Sequence, residues 1–194
     1  YAAGWSTNLP TQNLSNAYAA GDKRKAATIL DIEAYKTANP SYNITYQVAP
    51  YKNTGLYSQK YHPRKGETSG QLELNYLNNY RIIRYSDVLL MAAEAWNKST
   101  TPNDTKAQGY LNQVRRRAFG DNAHDISATG NALYLAVLDE RRLELAMEGD
   151  RFFDLVRAGQ AAAKITGFTA GKHEVFPIPQ DEITISGLTQ NAGY

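Results

Sequence analysis

The sequence predicts a mainly α fold: a helical hairpin and a third long helix, preceded by a loop-rich stretch with a short helix and short strands. Three observations lead there. Between Ile82 and Asn97 apolar side chains recur at helical spacing around most of the circumference. Asn103 and Asp104 then open a second segment with a single apolar face. Charge is also unevenly spread: residues 80–194 hold 13 Lys+Arg and 14 Asp+Glu against 8 and 5 in residues 1–79, a density that suits solvated helices. The 194 residues suffice for one domain or part of a larger one. They divide by composition into a loop-rich segment, 1–79, and a helical region, 80–194.

Composition removes several classes of function. A net charge of +2 leaves no basic footprint for nucleic acid. With no cysteine, disulfides, thiol catalysis and Cys-based metal centres are excluded, while the compartment stays open. Leu, Ile, Val and Phe make up only about 20% of the chain, but the small net charge and 14 Tyr argue against disorder. No stretch approaches a membrane-spanning length, and Tyr1-Ala-Ala-Gly-Trp5 lacks the basic start and apolar run of a signal peptide.

In chain order, residues 11–20 fit a short helix with Gly21 as its stop, and Ala27 to Ile32 reads as a short strand. From Pro40 to Gln71, Tyr42, Tyr46, Tyr51, Tyr57 and Tyr61 stand among Asn, Thr, Gly and Pro, the pattern of short strands and ordered loops. On the helix of residues 82–97, Tyr85, Val88, Leu89, Ala92, Ala93 and Trp96 leave only Arg84, Asp87 and Glu94 as a polar stripe. A helix so apolar is expected to be sandwiched between neighbours. The second helix, to about Phe119, places Ala107, Tyr110, Leu111, Val114 and Ala118 on one face and stops at Gly120. The pair resembles one tetratricopeptide-type hairpin, without a 34-residue period repeated in this chain.

Asn131 is the expected cap of the third helix, 132–148, which Gly149 ends; Leu135, Leu138, Leu145 and Ala146 cluster on its wheel. Asp139 and Arg142 fall inside that arc and are expected to pair with each other or with Arg84 and Asp87, because desolvated charge persists only when paired. Glu140, Glu144 and Glu148 step four residues apart with Arg141, Arg142 and Arg151 interleaved. They are read as ion-paired and ionised, not as the protonated and ionised pair that glycoside hydrolysis needs. Arg84, Asp87, Asp139, Arg142, Glu144, Glu148 and Arg151 thus make a structural ionic lattice. Beyond it, Arg151–Arg157 is a short amphipathic segment, prolines in Val175–Pro179 fix the path, and Gln180–Ile183 can make one turn.

These segments resemble the SusD/RagB-like outer-membrane lipoproteins of Bacteroidetes, in their carboxy-terminal portion. The likeness is carried in order by Arg84-Tyr-Ser-Asp-Val-Leu-Leu-Met-Ala-Ala-Glu-Ala95, Leu111-Asn-Gln-Val-Arg-Arg-Arg-Ala118, Glu140-Arg-Arg-Leu-Glu-Leu-Ala-Met-Glu-Gly149 with Arg151-Phe-Phe-Asp-Leu155, Val175-Phe-Pro-Ile-Pro179 and Thr189-Gln-Asn-Ala-Gly-Tyr194. Pro10–Leu14 and Gly21–Arg24 extend it upstream. The chain departs from the family's pattern at Phe119, an extra residue before Gly120, and at Ala192, where Pro is common. Family members are two to three times longer, so the sequence is expected to be a piece of a larger protein. The resemblance implies a protein that is not an enzyme and needs no cofactor. Such a protein is held outside the outer membrane by a lipid anchor beyond this chain. It captures oligosaccharides or polysaccharides, or peptides in some members, and passes them to a SusC-like TonB-dependent transporter.

Sugar recognition needs aromatic faces for pyranose C–H bonds and planar polar groups for hydroxyls. Trp5, in a turn-like stretch with Asn8, is the first candidate. Tyr51 and Tyr57, flanking the Gly55 turn, follow, with Asn53 as a nearby amide. Trp96 is expected in the core. No catalytic residue is assigned, and the three separated histidines, 62, 124 and 173, give no metal-ligand spacing. Arg115-Arg-Arg117 points in three directions and is read as a solvated face that lends a partner to an acid. Peptide binding, a tetratricopeptide-like protein scaffold and, third, a glycoside hydrolase remain as alternatives.

Overall fold

The computed structural model describes residues 8–46, 54–61, 77 and 79–194. Thr11 starts the first helix, α1 (Gln12–Ala17), by accepting the Leu14 N–H on its side chain at 3.1 Å. Next come α2 (Arg24–Thr28), strand β1 (Ile29–Asp31) and α3 (Ile32–Ala38). The expected strand over 27–32 is therefore shorter. Asp31 accepts the Ala34 N–H and Glu33 sits in the first turn, so the chain turns helical at Ile32, a start signal that outweighs the local β-branched residues. After a 3₁₀ turn at Pro40–Tyr42, strand β2 (Leu56–Ser58) pairs antiparallel with β1, setting Ile29 against Ser58, Leu30 against Tyr57 and Asp31 against Leu56.

The helical part comprises α4 (Tyr85–Lys98), α5 (Asp104–Phe119), α6 (Gly130–Glu144), α7 (Arg151–Arg157), α8 (Ala161–Lys164) and α9 (Gln180–Ser186). Asn103 caps α5 by accepting the Lys106 N–H, and Gly120 ends it in the left-handed region, φ 94°, with its N–H on Arg116 O at 2.7 Å. A core of Leu89, Leu90, Ala93, Ala107, Leu111, Val114, Leu133 and Val137 joins α4, α5 and α6. Asn97 closes one end by donating to Asp104 Oδ1 at 2.9 Å and Gly130 O at 3.0 Å. Asn112 clips the α5–α6 loop through reciprocal bonds with Ile126. Trp96 packs half-buried against this core with the Lys106 ammonium 3.9 Å from its ring centroid. A smaller cluster of Tyr18, Ile29 and Leu56, with Leu14 and Leu143, seats the β pair.

Two expectations are corrected here. The helix α4 is not sandwiched within the described residues: Tyr85, Val88 and Met91 are exposed opposite its core face. The alanines widened the apolar arc without needing burial. The inward face of α6 is also rotated from the expected one. Leu138, Leu145 and Ala146 are buried as expected, but Leu135 and Asp139 are exposed, and Leu133, Val137, Glu140, Arg141 and Glu144 are buried. The helix starts after Thr129, not Asn131, and stops at Glu144. The chain forms two compact units, Tyr1–Glu148 and Gly149–Tyr194. In the second, Phe152 meets the rings of Phe153, Phe168 and Phe176, and Gln190 brackets Ile178 with two hydrogen bonds.

The rotated face of α6 predicts a contrast that chemical denaturation checks. Leu133→Ala removes a fully buried side chain and should cost about 2–5 kcal/mol. Leu135→Ala, two residues on, should stay within about 1 kcal/mol. Equal losses would contradict the register.

Candidate functional site

The end of α6 gathers three carboxylates. Glu140 and Glu144, one turn apart, are 1% and 2% exposed, and Glu148 follows a left-handed Met147, φ 66°, that turns its side chain back on the same group. Carboxylates this dry stay ionised only if cations reach them. The cations seen to do so among the described residues come from other segments. Arg24 bonds Asp22, Glu140 at 2.5 Å and Glu144 at 3.2 Å. Arg115 reaches the other oxygen of Glu140 at 2.6 Å, and Arg117 reaches Glu144 at 2.5 Å. Arg84, the residue that starts α4, joins Glu144 to Glu148, with Nε on Glu148 Oε2 at 2.8 Å. Lys60, just past β2, also pairs with Glu148.

The same cations finish the helix. Carbonyls in the last turn of α6 lack intrahelical donors. Glu144 O accepts Lys60 Nζ at 2.7 Å and Arg84 Nη2 at 2.5 Å, while Leu143 O accepts the Tyr18 hydroxyl at 2.9 Å. Tyr80 donates to Glu148 O at 2.6 Å. Positive charge at a helix carboxyl terminus also meets the macrodipole.

Burial by itself raises the Glu144 carboxyl. The hydrogen bond and charge of Arg84, the charge of Arg117 and the Ser86 hydroxyl outweigh it and hold the group at about 2. Burial likewise opposes the charge on Arg84, but hydrogen bonds to Glu148 and Glu144 raise its affinity for the proton above the ordinary arginine value. Lys60 is lowered by burial, against the pull of Glu148. An ionised Glu144 tied to arginines cannot donate a proton to a leaving group.

The sequence-derived lattice maps onto this geometry with a shift of one residue. Arg84, Glu144 and Glu148 are central to it, and Asp87 pairs with Arg141 at 2.7 Å. Asp139 instead faces solvent, and Arg142 turns to Asn13 rather than to Asp139. Glu140 and Arg141 occupy the inward positions because the helix face is rotated by one residue. Arg151 opens α7 in the second unit, half-buried. Of the arginine triplet, exposed Arg116 pairs with half-buried Asp125 and the other two with buried carboxylates. Missed altogether were Asp22, Arg24 and Lys60. Their only signal was charge inside an otherwise aromatic and amide-rich stretch.

Among the proposed ligand residues, Asn8 is exposed in a left-handed conformation, φ 55°. Tyr57 is half-buried on β2 opposite Leu30. Trp5, Tyr51 and Asn53 lie outside the described residues. Two clefts flank the β pair. One, of about 260 Å³, is lined by Thr28, Gln59, Lys60 and Tyr61 and by members of the lattice. The other, of about 470 Å³, is lined by Gln12, Asp22, Lys25, Ile29 and Leu56 among others. No cluster of three metal-ligating side chains occurs among the described residues.

A profile of the SusD family matches residues 1–170. The chain belongs to the SusD family. SusD-like protein P2 of Formosa agariphila is 28% identical over 213 aligned positions, covering all of this chain and 41% of that protein. Among solved structures, surface glycan-binding protein A of Bacteroides thetaiotaomicron, determined also in complex with laminarihexaose, is 31% identical with a TM-score of 0.79. It covers 95% of this chain and 41% of its own length. A laminarin-binding SusD-like protein is 38% identical, with a TM-score of 0.79, over 99% of this chain and 39% of that one. The chain thus spans about two fifths of the length of the relatives it matches.

The lattice predicts a pH signature. Held near 2 in the fold against an ordinary 4.5, Glu144 contributes stability that is complete above about pH 4.5 and lost as pH falls toward about 2. Glu144→Gln should therefore cost about 3–5 kcal/mol at neutral pH, and the gap to the parent should narrow across that window in urea titrations. A gap independent of pH would contradict the assignment.

Proposed function

We propose that this chain is part of a non-catalytic glycan-binding protein of the bacterial cell surface. Its parent captures oligosaccharides and delivers them to a SusC-like TonB-dependent transporter while held to the outer membrane by a lipid anchor. The reading rests most on one observation: nearly the whole chain superposes, at 31% identity, on a surface glycan-binding protein whose structure contains laminarihexaose. Laminarin-type glucans are accordingly the first ligands to test.

Binding falls to the loop-rich stretch. The helical end is occupied by paired charge, whereas residues 1–79 carry aromatics among amides and turns, the chemistry that stacks on sugar rings and replaces hydroxyl hydration. We assign Trp5, Tyr51 and Tyr57 to stacking, and Asn8 and Asn53 to hydroxyl contacts. The absence of hydrolysis is supported by Glu140, Glu144 and Glu148, each of which is ion-paired.

Affinity electrophoresis of the protein in gels containing laminarin should show retardation, and Trp5→Ala should weaken it about tenfold or more, the value of a lost stacking contact plus its area. Reducing sugar should not accumulate over hours. Retention by a peptide pool with no glycan binding would contradict the assignment, as would sugar release abolished by Glu144→Gln.

A further inference from the structure

The smaller cleft has three features that the lattice does not need. The first is surplus charge. Among the described residues, Arg24, Lys60, Arg81, Arg84, Arg115 and Arg117 meet four carboxylates across the lattice and cleft, Asp22, Glu140, Glu144 and Glu148. The described side chains leave a surplus of two positive charges here. The available donors are at the mouth. Arg81 is exposed and its guanidinium bonds no described residue. Arg117, 57% exposed, gives one nitrogen to Glu144 and keeps the others.

The second feature is a pair of buried oxygens. Gln59 Oε1 has no hydrogen-bond partner among the described residues, the Thr28 hydroxyl lies against the Tyr18 hydroxyl without a bond of good geometry, and both residues line the cleft. They sit side by side, since Gln59 N donates to Thr28 O at 2.9 Å. Buried polar atoms left alone cost roughly 1–3 kcal/mol each, and a buried amide oxygen accepts only from a donor that something else brings. By strand alternation and register, Tyr57 lies on the same face as Thr28 and Gln59. The third feature is an aromatic wall. Tyr61 lines the cleft and is held by a stacked Tyr80, ring centroids 5.2 Å apart and planes 28° apart.

An inorganic anion would satisfy the arginines but supply no donor to Gln59 and no surface to Tyr61. A neutral sugar would satisfy Gln59 and Tyr61 but leave the arginines unanswered. We propose that this cleft is a subsite for an acidic sugar residue. Its carboxylate is held by Arg81 and Arg117, a hydroxyl by Gln59 Oε1, and its C–H face by Tyr61. Guanidinium suits this role because its planar fork meets a carboxylate with two parallel bonds. The inference rests on the glycan-binding reading and extends it: beside neutral glucan, the protein takes glycans that carry uronic acid units, and this subsite selects those units.

Isothermal titration of the full chain with a uronic acid trisaccharide, and with the same trisaccharide after carboxyl reduction, separates the terms. The acidic form should bind at least tenfold more tightly, with the preference shrinking as salt rises. Arg81→Gln should remove about tenfold of that affinity, the worth of one charged hydrogen bond, without altering affinity for the reduced form. Because the Arg81 side chain takes no part in the lattice, its replacement leaves the thermal midpoint as a folding control. Equal affinities for the two trisaccharides, or an unchanged Arg81→Gln, would overturn the subsite. Competition by inorganic sulfate as effective as the uronide would reduce it to an adventitious ion only. If laminari-oligosaccharides bind and the uronide shows no preference, the subsite fails alone. If no glycan binds, the glycan-binding reading fails with it.

Discussion

Three carboxylates buried at the end of one helix set the terms for the rest of the first unit. Removing an ionised carboxylate from water costs several kcal/mol even after relaxation, and Glu140, Glu144 and Glu148 are all buried. Arg141, the cation on the same buried face of α6, is engaged by Asp87. The charge must be met by Arg24, Lys60, Arg84, Arg115 and Arg117, drawn from segments up to 120 residues away. Each of those segments is thereby placed: the start of α2, the exit of β2, the start of α4 and the last turns of α5. A hydrophobic core holds the three long helices together. Alongside the small Tyr18 cluster, the loop-rich stretch is held to them by charge.

This division of labour shapes what the protein can do. Acids saturated by arginines, one of them held near 2, make a fixed wall and not a proton relay. A wall that is rigid and dry suits capture, because side chains already ordered lose little freedom when a ligand arrives. Under the proposed function the loop-rich stretch supplies aromatic and amide groups, and of these Tyr57 lies on a two-stranded ribbon too small to be stable by itself. Binding would then depend on the lattice indirectly, through the position of β1 and β2.

The sequence was informative where the signal was local. Helices α4 and α5, the cap at Asn103, the stop at Gly120 and the family likeness all come from residues adjacent in the chain or one turn apart. Glu144 and Glu148 are ion-paired as expected, but not through the arginines interleaved with them: Arg141 pairs with Asp87 and Arg142 with Asn13, and the cations come from other segments. Periodicity failed on α6. Leu135 and Leu138 pulled the expected face toward Asp139 and Arg142, while the actual face is completed by Glu140 and Glu144, charged residues that hydropathy counts as solvent-facing. No local rule marks Arg24 or Lys60, since their value lies in partners 88 to 120 residues distant. The same holds for Gln59, whose interest is that its amide oxygen lacks a partner among the described residues. The ligand residues Trp5, Tyr51 and Asn53 rest on composition and context alone.

Native-state hydrogen exchange in an Arg24→Leu variant tests most directly whether charge holds the early segments in place. The Ile32 and Gln59 amides donate to Gly55 O and Thr28 O and so report the β pair. Leu111 and Val114 amides report the helical core. The account predicts that the first two lose protection by a factor of ten or more while the second two keep theirs. Uniform protection across all four, equal to that of the parent, would contradict it.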